Sequence, residues 1–251
     1  MKVFETKLVL GLPIGMVSIV EAAECVIDWA QSGSRAYGIE AADVHVVTRA
    51  RHESDFGECM RKFDLICPDG MPVVWAMNRR LLANEKLKER VSGAELMAET
   101  FAKTEGNDTT HFLLGGSESL LSTLESKLSE NYPDAEVAGT YSPPFGEWPV
   151  DEFERICEKI KASGANLIWV GLGCPKQERW IGDNLENLPP GCYFGVGAAF
   201  AFHAGHIKRA PAIFQKTGME WFYRLCKEPR RLWKRYFTYN ALFLYYSFLQ
   251  R

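Results

Sequence analysis

The residues with the most chemical potential follow short apolar runs. Asp69 lies in Cys67-Pro-Asp-Gly-Met-Pro72, just past Phe63-Asp-Leu-Ile-Cys67 and ahead of an apolar helical stretch. A carboxylate at a strand end can take the proton of an attacking hydroxyl, because burial holds its pKa nearer neutrality. The same residue can instead cap the next helix or close an Asp-Gly turn. Further on, Gly171-Leu-Gly-Cys-Pro-Lys-Gln177 follows Ala165-Asn-Leu-Ile-Trp-Val170. Gly171 and Gly173 permit a tight turn, Pro175 suits the first position of a helix, and that helix would aim free N–H groups at an anion. A diphosphate fits there, with Lys176 and the Gln177 amide beside it; a plain strand-to-helix turn is the other reading. Lys176 stands where a dinucleotide fingerprint needs its third glycine, which argues against a nicotinamide enzyme.

No D-x-D triplet occurs, and no His, Cys or Asp cluster has metal-ligand spacing, so the sequence points to no metal and no cofactor. Charge on a leaving diphosphate would then fall to protein cations and helix N-termini. Arg90, ahead of Val91-Ser-Gly-Ala94, is one such cation or else a solvated surface arginine. His203 and His206 flank Ala204-Gly205 and read as hydrogen-bonded structural residues.

The elements that must position these groups alternate. Apolar runs at 43–48, 63–67, 111–115, 165–170 and 192–196 read as strands, and Gly93–Thr104, Glu118–Asn131 and Val150–Ala162 read as helices. That rhythm predicts an α/β fold, a mainly parallel Rossmann-like sheet with helices on both faces. Ligands of such sheets bind beyond the carboxyl ends of the strands, where Thr48, Asp69, Gly115-Gly116 and the 171–177 segment fall.

The 251 residues suffice for one α/β core with a small appendage. Composition breaks near Lys208-Arg-Ala-Pro211, giving a catalytic core over 1–207 and an appendage over 208–251. The appendage holds ten Lys and Arg against Glu220 and Glu228, so it carries +8 of a chain whose total is −3, which leaves −11 on the preceding 207 residues. From Phe214 onward it also holds twelve of the 31 aromatic residues. Basic and aromatic together suit an anionic membrane surface or nucleic acid. The longest late apolar run, Ala241–Leu249, is short of the about 20 residues that span a bilayer, so the tail can lie on a membrane without crossing it. A nucleic-acid-binding α/β module is the alternative, opposed by the acidic core and the lack of a nucleic-acid motif. Exposed tail surface could also drive homo-oligomerisation. Leu8–Val20, interrupted by Gly11, Pro13 and Gly15 and followed by Glu21 and Glu24, does not read as a cleaved signal, and seven cysteines without a C-x-x-C pair read as reduced thiols, so a cytoplasmic protein is expected.

Taken in order, Pro68-Asp-Gly70, Arg90-Val-Ser-Gly93, Leu113-Leu-Gly-Gly116, Gly171–Glu178, Gly195-Val-Gly-Ala-Ala-Phe200, Arg209-Ala-Pro211, Met219–Leu225 and Glu228–Leu232 resemble the WecG/TagA/CpsF glycosyltransferases of bacterial surface-polymer synthesis. The resemblance covers about Val44 to Tyr236. It implies an inverting, metal-independent transfer from a UDP-sugar to an undecaprenyl-diphosphate-linked sugar, on the inner face of the cell membrane, in exopolysaccharide, enterobacterial-antigen or teichoic-acid type synthesis. By motif it makes Asp69 the catalytic base and Thr48 and Gln177 active-site polar residues. Arg90, Gly173, Lys176, Gly197 and Ala201 fall on the donor side, and Arg224, Arg230, Arg231 and Arg235 on the acceptor diphosphate. Two departures stand out: Ala201 where the family usually has an acidic residue, and Ala50 where an asparagine often follows the strand threonine.

Overall fold

A computed structural model describes residues 4–79 and 81–249; Gln250 and Arg251, which the appendage's span includes, lie outside the described residues. The chain opens with a hairpin, β1 (Thr6–Val9) and β2 (Leu12–Gly15), closed by Leu10 and Gly11 at φ 51° and 92°. Two successive positive φ values match the twist of a tight hairpin, and glycine takes the second without strain. The helix α1 (Ile19–Ser32) starts at a capping box between Ser18 and Glu21 and stops at Gly33 in the left-handed region.

The strand β3 (Ala36–Ala42) leads into helices α2 (Val44–His52) and α3 (Ser54–Met60), then β4 (Leu65–Pro68) and α4 (Met71–Asn78). Next come α5 (Gly93–Thr104), β5 (His111–Leu114), α6 (Glu118–Asn131), β6 (Val137–Tyr141) and α7 (Glu152–Ser163). The core closes with β7 (Leu167–Val170), α8 (Lys176–Asn184), β8 (Gly191–Gly195) and α9 (Ala199–His203), followed by α10 (Ala212–Lys216), α11 (Glu220–Lys227) and α12 (Pro229–Leu249).

Strands β3 to β8 form one six-stranded parallel sheet in the order β4-β3-β8-β7-β5-β6. Its central strands are buried along their whole length, as a parallel sheet covered on both faces requires. Side chains alternate between two cores. Leu113, Trp169 and Phe194 meet α1, α5, α6 and α9, while Phe112, Ile168 and Tyr193 meet the hairpin, α2, α3, α7 and α8.

The expected α/β class is therefore present, with one strand misplaced. The run Asp43–Thr48 is helical, with Asp43 at the N-cap of α2 and its Oδ1 accepting from Val46 N at 3.0 Å. The β-branched valines read as a strand in isolation, but the cap and burial of Val46 and Val47 against the sheet favour a helix. The true strand is β3, just before it. Likewise Pro175 is one position early: it occupies the N-cap of α8, after a cis peptide bond from Cys174.

The C-terminal helix lies along α2. Tyr239 meets the His45 ring edge-on at 4.3 Å, Tyr246 Oη pairs with His52 Nδ1 at 2.9 Å, and Phe243 is buried in the core. Among the described residues no helix is long and apolar enough to cross a membrane.

Candidate active site

The loops leaving β3, β4, β7 and β8 converge on a cleft of about 850 Å³, whose far wall is built by α11 and α12. Asp69 stands one residue beyond β4, its N–H bonded to Ala42 O at 3.1 Å, so the pairing of β3 with β4 sets its position. Gly70, at φ 92°, turns the chain and is itself the N-cap of α4, which has no side-chain cap. The capping role open to Asp69 in the sequence is thus not taken, and its carboxyl faces the cleft. Burial pushes that carboxyl up to about 7; Arg90 pulls it down, and Asp43, Glu220 and Glu95 raise it further. A carboxyl of that kind is half ionised near neutrality, where a general base is most useful.

Arg90 is no solvated arginine. Its side chain is 10% exposed and lies 4.0 Å from Asp69 and 3.8 Å from Glu95. It donates to Gln215 Oε1 at 2.9 Å and to Glu220, both beyond residue 208. Although burial works against a charge, these carboxylates raise the guanidinium above its usual range, so it stays a cation. Arg209 adds a second tie, reaching Glu95 at 3.0 Å.

Gln177 joins the two glycine loops. Its Oε1 accepts from Gly173 N at 3.1 Å and Gly197 N at 3.2 Å, while its Nε2 donates to Glu178 at 3.0 Å. The strand ends pack too closely for larger residues here: a Cβ on Gly171 would lie 2.6 Å from the Phe200 ring. His203 lies just outside, donating from Nε2 to Ala94 O at 2.8 Å, with burial lowering its pKa.

The wall from α11 and α12 is cationic. Arg224, Arg231 and Arg235 all line the cleft. Arg224 lies over Phe202 at 5.4 Å and Arg235 over Tyr236 at 5.0 Å, and the Nε of each is buried with no hydrogen bond among the described residues. Asp43 holds Arg235 above its usual pKa against the burial that opposes it. Arg231 is tied to Glu228 at 2.7 Å.

Of the residues singled out from sequence, Asp69, Arg90, Gly173, Gln177, Gly197, Ala201, Arg224, Arg231 and Arg235 come together around the cleft. Three do not line it. Thr48 is fully buried in the middle of α2, a consequence of the misplaced strand. Lys176 turns away to bond Gly146 O at 3.2 Å and to cover the Trp148 ring at 4.0 Å. Arg230 is exposed on α12. Ala50 is a core residue of α2, so the asparagine expected there would not meet the site.

The sequence reading missed Asp43, Glu40, Glu220 and Gln215, all of which line the cleft. Glu40 left a signal: a lone charge within Tyr37-Gly-Ile-Glu-Ala-Ala42, an otherwise apolar strand. No group of three or more His, Cys, Asp or Glu among the described residues is arranged to hold a metal ion. A base-like carboxylate facing an arginine wall across a cleft at the strand ends suits transfer from or onto phosphate-bearing substrates. Residues 7–251 match the family model described as Glycosyl transferase WecG/TagA/CpsF family, and the chain belongs to that family of glycosyltransferases.

Proposed function

We propose that this glycosyltransferase moves a sugar from a UDP-sugar onto a polyprenyl-diphosphate-linked sugar at a membrane surface, with inversion at the anomeric carbon. The observation that carries this reading is Asp69, a carboxyl pushed up to about 7 and set in one cleft with a row of arginines. In a single displacement the acceptor hydroxyl gives its proton to Asp69. Its oxygen then bonds the anomeric carbon as the bond to the UDP oxygen breaks on the opposite face. One base is enough for that step, and the nucleoside diphosphate leaves with the bonding electrons. The glycine loops tied by Gln177 offer backbone N–H groups on the donor side, and Arg224, Arg231 and Arg235 suit the acceptor's diphosphate. Thr48 and Lys176 have no part in this scheme.

The outer face of α12 supports a lipid acceptor. Trp233, Phe237 and Phe248 recur at helical spacing and are all exposed, with Phe237 at 79%, and Arg230 and Lys234 are exposed beside them. Rings at interfacial depth with cations at head-group level bind anionic bilayers.

Asp69→Asn tests the reading. It should lower kcat by roughly 10²–10⁴-fold, the usual worth of a general base, with UDP affinity unchanged in calorimetry. Turnover at the wild-type rate would remove Asp69 from that role.

A further inference from the structure

The cleft wall itself holds a pair of buried carboxyls that the scheme above does not use. Glu40 is 2% exposed towards the carboxyl end of β3, and Glu178, on α8, is fully buried. Glu40 is the register partner of Gly195 on the neighbouring strand β8. A Cβ at Gly195 would lie 2.0 Å from Glu40 Oε2 and 3.3 Å from Gln177 Nε2, so the missing side chain is what lets Glu40 lean across β8 towards α8. There Glu178 accepts from Gln177 Nε2 through Oε1. The Oε2 atoms of Glu40 and Glu178 are each buried with no hydrogen bond among the described residues.

Two ionised carboxylates cannot share such a space, and two orphaned oxygens in a dry interior are costly. One proton held between them resolves both problems. We propose that Glu40 and Glu178 form an acid–carboxylate pair, with Glu40 the positioning residue that fixes Gln177 and through it the spacing of the two glycine loops. With Glu178 as its acceptor, the Gln177 amide has only one useful orientation: Nε2 towards Glu178 and Oε1 towards Gly173 N and Gly197 N. Loss of the shared proton sets like charges against each other directly behind those loops. Burial, helped by the mutual repulsion, raises Glu40 well above the ordinary carboxyl range, and burial raises Glu178 to about 7. The other titratable groups that face the pair are Asp43 at the start of α2, Asp69 at the end of β4, Cys67 on β4 and Cys174 ahead of α8. Asp43 and Asp69 repel a charge on Glu40, so they favour the shared proton.

A carboxyl whose pKa is raised by folding stabilises the fold below its unfolded value and loses that contribution as pH rises through the folded value. The test follows Tm from about pH 5 to about pH 9. It compares the wild-type chain with Glu40→Gln, both also in the Asp69→Asn background so that Asp69 does not titrate. The wild-type Tm should fall as pH rises. The fall should be shallower in Glu40→Gln, whose amide donates to Glu178 without a proton to lose. Superimposable slopes would overturn the proposal.

In the Asp69→Asn background, which removes the band of Asp69 itself, the infrared band of a protonated carboxyl should persist at neutral pH with Glu40 present and weaken sharply in Glu40→Gln; its absence with Glu40 present would count equally against the pair. The role in the cleft rests on the donor reading and is tested with UDP. Glu40→Leu should weaken UDP binding about tenfold or more, the order of one hydrogen bond to a charged group, and Glu40→Gln should restore it. Wild-type affinity in Glu40→Leu would refute the positioning role. Should UDP not bind the wild type at all, the donor reading fails, and the melting series still decides whether the proton is shared.

Discussion

The cluster around His111 in the interior of the sheet and the helices after residue 208 treat their polar groups in opposite ways. In the interior, His111 is stacked on Phe101 at 3.7 Å, accepts from Trp169 Nε1 at 3.0 Å through Nδ1 and lies 2.8 Å from Thr104 Oγ1 through Nε2. Burial pushes its pKa down to about 3, so the neutral ring serves as one acceptor and one donor and both are used. On α11 and α12, Arg224 and Arg235 keep a buried Nε without a hydrogen bond among the described residues, and rings as large as Phe237 face outward. The His111 cluster is complete in itself. The other, on our reading, is completed by a diphosphate and a lipid surface.

The contrast can be broken most decisively from the core side. Trp169→Ala should cost about 3–5 kcal/mol of stability, read from urea unfolding, because a fully buried ring leaves a cavity between two packed layers. An equally large loss from Phe237→Ser would erase the distinction, since that ring makes little of the folded interior. Next in size is Arg224→Ala with Arg235→Ala. Loss of charge-assisted hydrogen bonds worth about 1.5–3 kcal/mol each should raise KM for a lipid-diphosphate acceptor by tenfold or more, with UDP affinity unchanged. An unaltered KM would place the diphosphate elsewhere.

Phe237→Ser should weaken binding to anionic vesicles by about 1.5–3 kcal/mol and leave urea unfolding as it was. Undiminished vesicle binding would turn the exposed stripe into a surface for some other contact. The smallest effect concerns pH. With Asp69 at about 7, kcat/KM should fall about tenfold per unit below that value, because the base must be ionised. Stability should move the other way. The raised pKa values of Asp69, Glu40 and Glu178 mean that the folded chain holds protons the unfolded chain has lost, so stability declines as pH rises through about 7. Activity and stability rising together with pH would contradict both assignments.

What the sequence by itself determined is local. Helices α5 and α6 are readable to the residue, because Ser92 and Ser117 cap them and their apolar spacing is helical. Strands β4, β5, β7 and β8 are readable as short apolar runs between turn residues, and Asp69 and the 171–177 turn are legible because glycine and proline punctuate the chain there. The charge and rings of the last forty-odd residues are a matter of counting.

Only the tertiary structure decided which groups meet. Valines 46 and 47 suit a strand or a helix equally until the sheet claims them for α2, and that choice removes Thr48 from the cleft and puts Asp43 in it. Lys176 and Gln177 are neighbours in sequence, but a helix turns successive side chains about 100° apart, so one reaches the glycine loops and the other Trp148. The link from Arg90 to Glu220 spans 130 positions, and the pair of Glu40 and Glu178 more. No local pattern encodes such pairings, because they depend on which strands lie side by side.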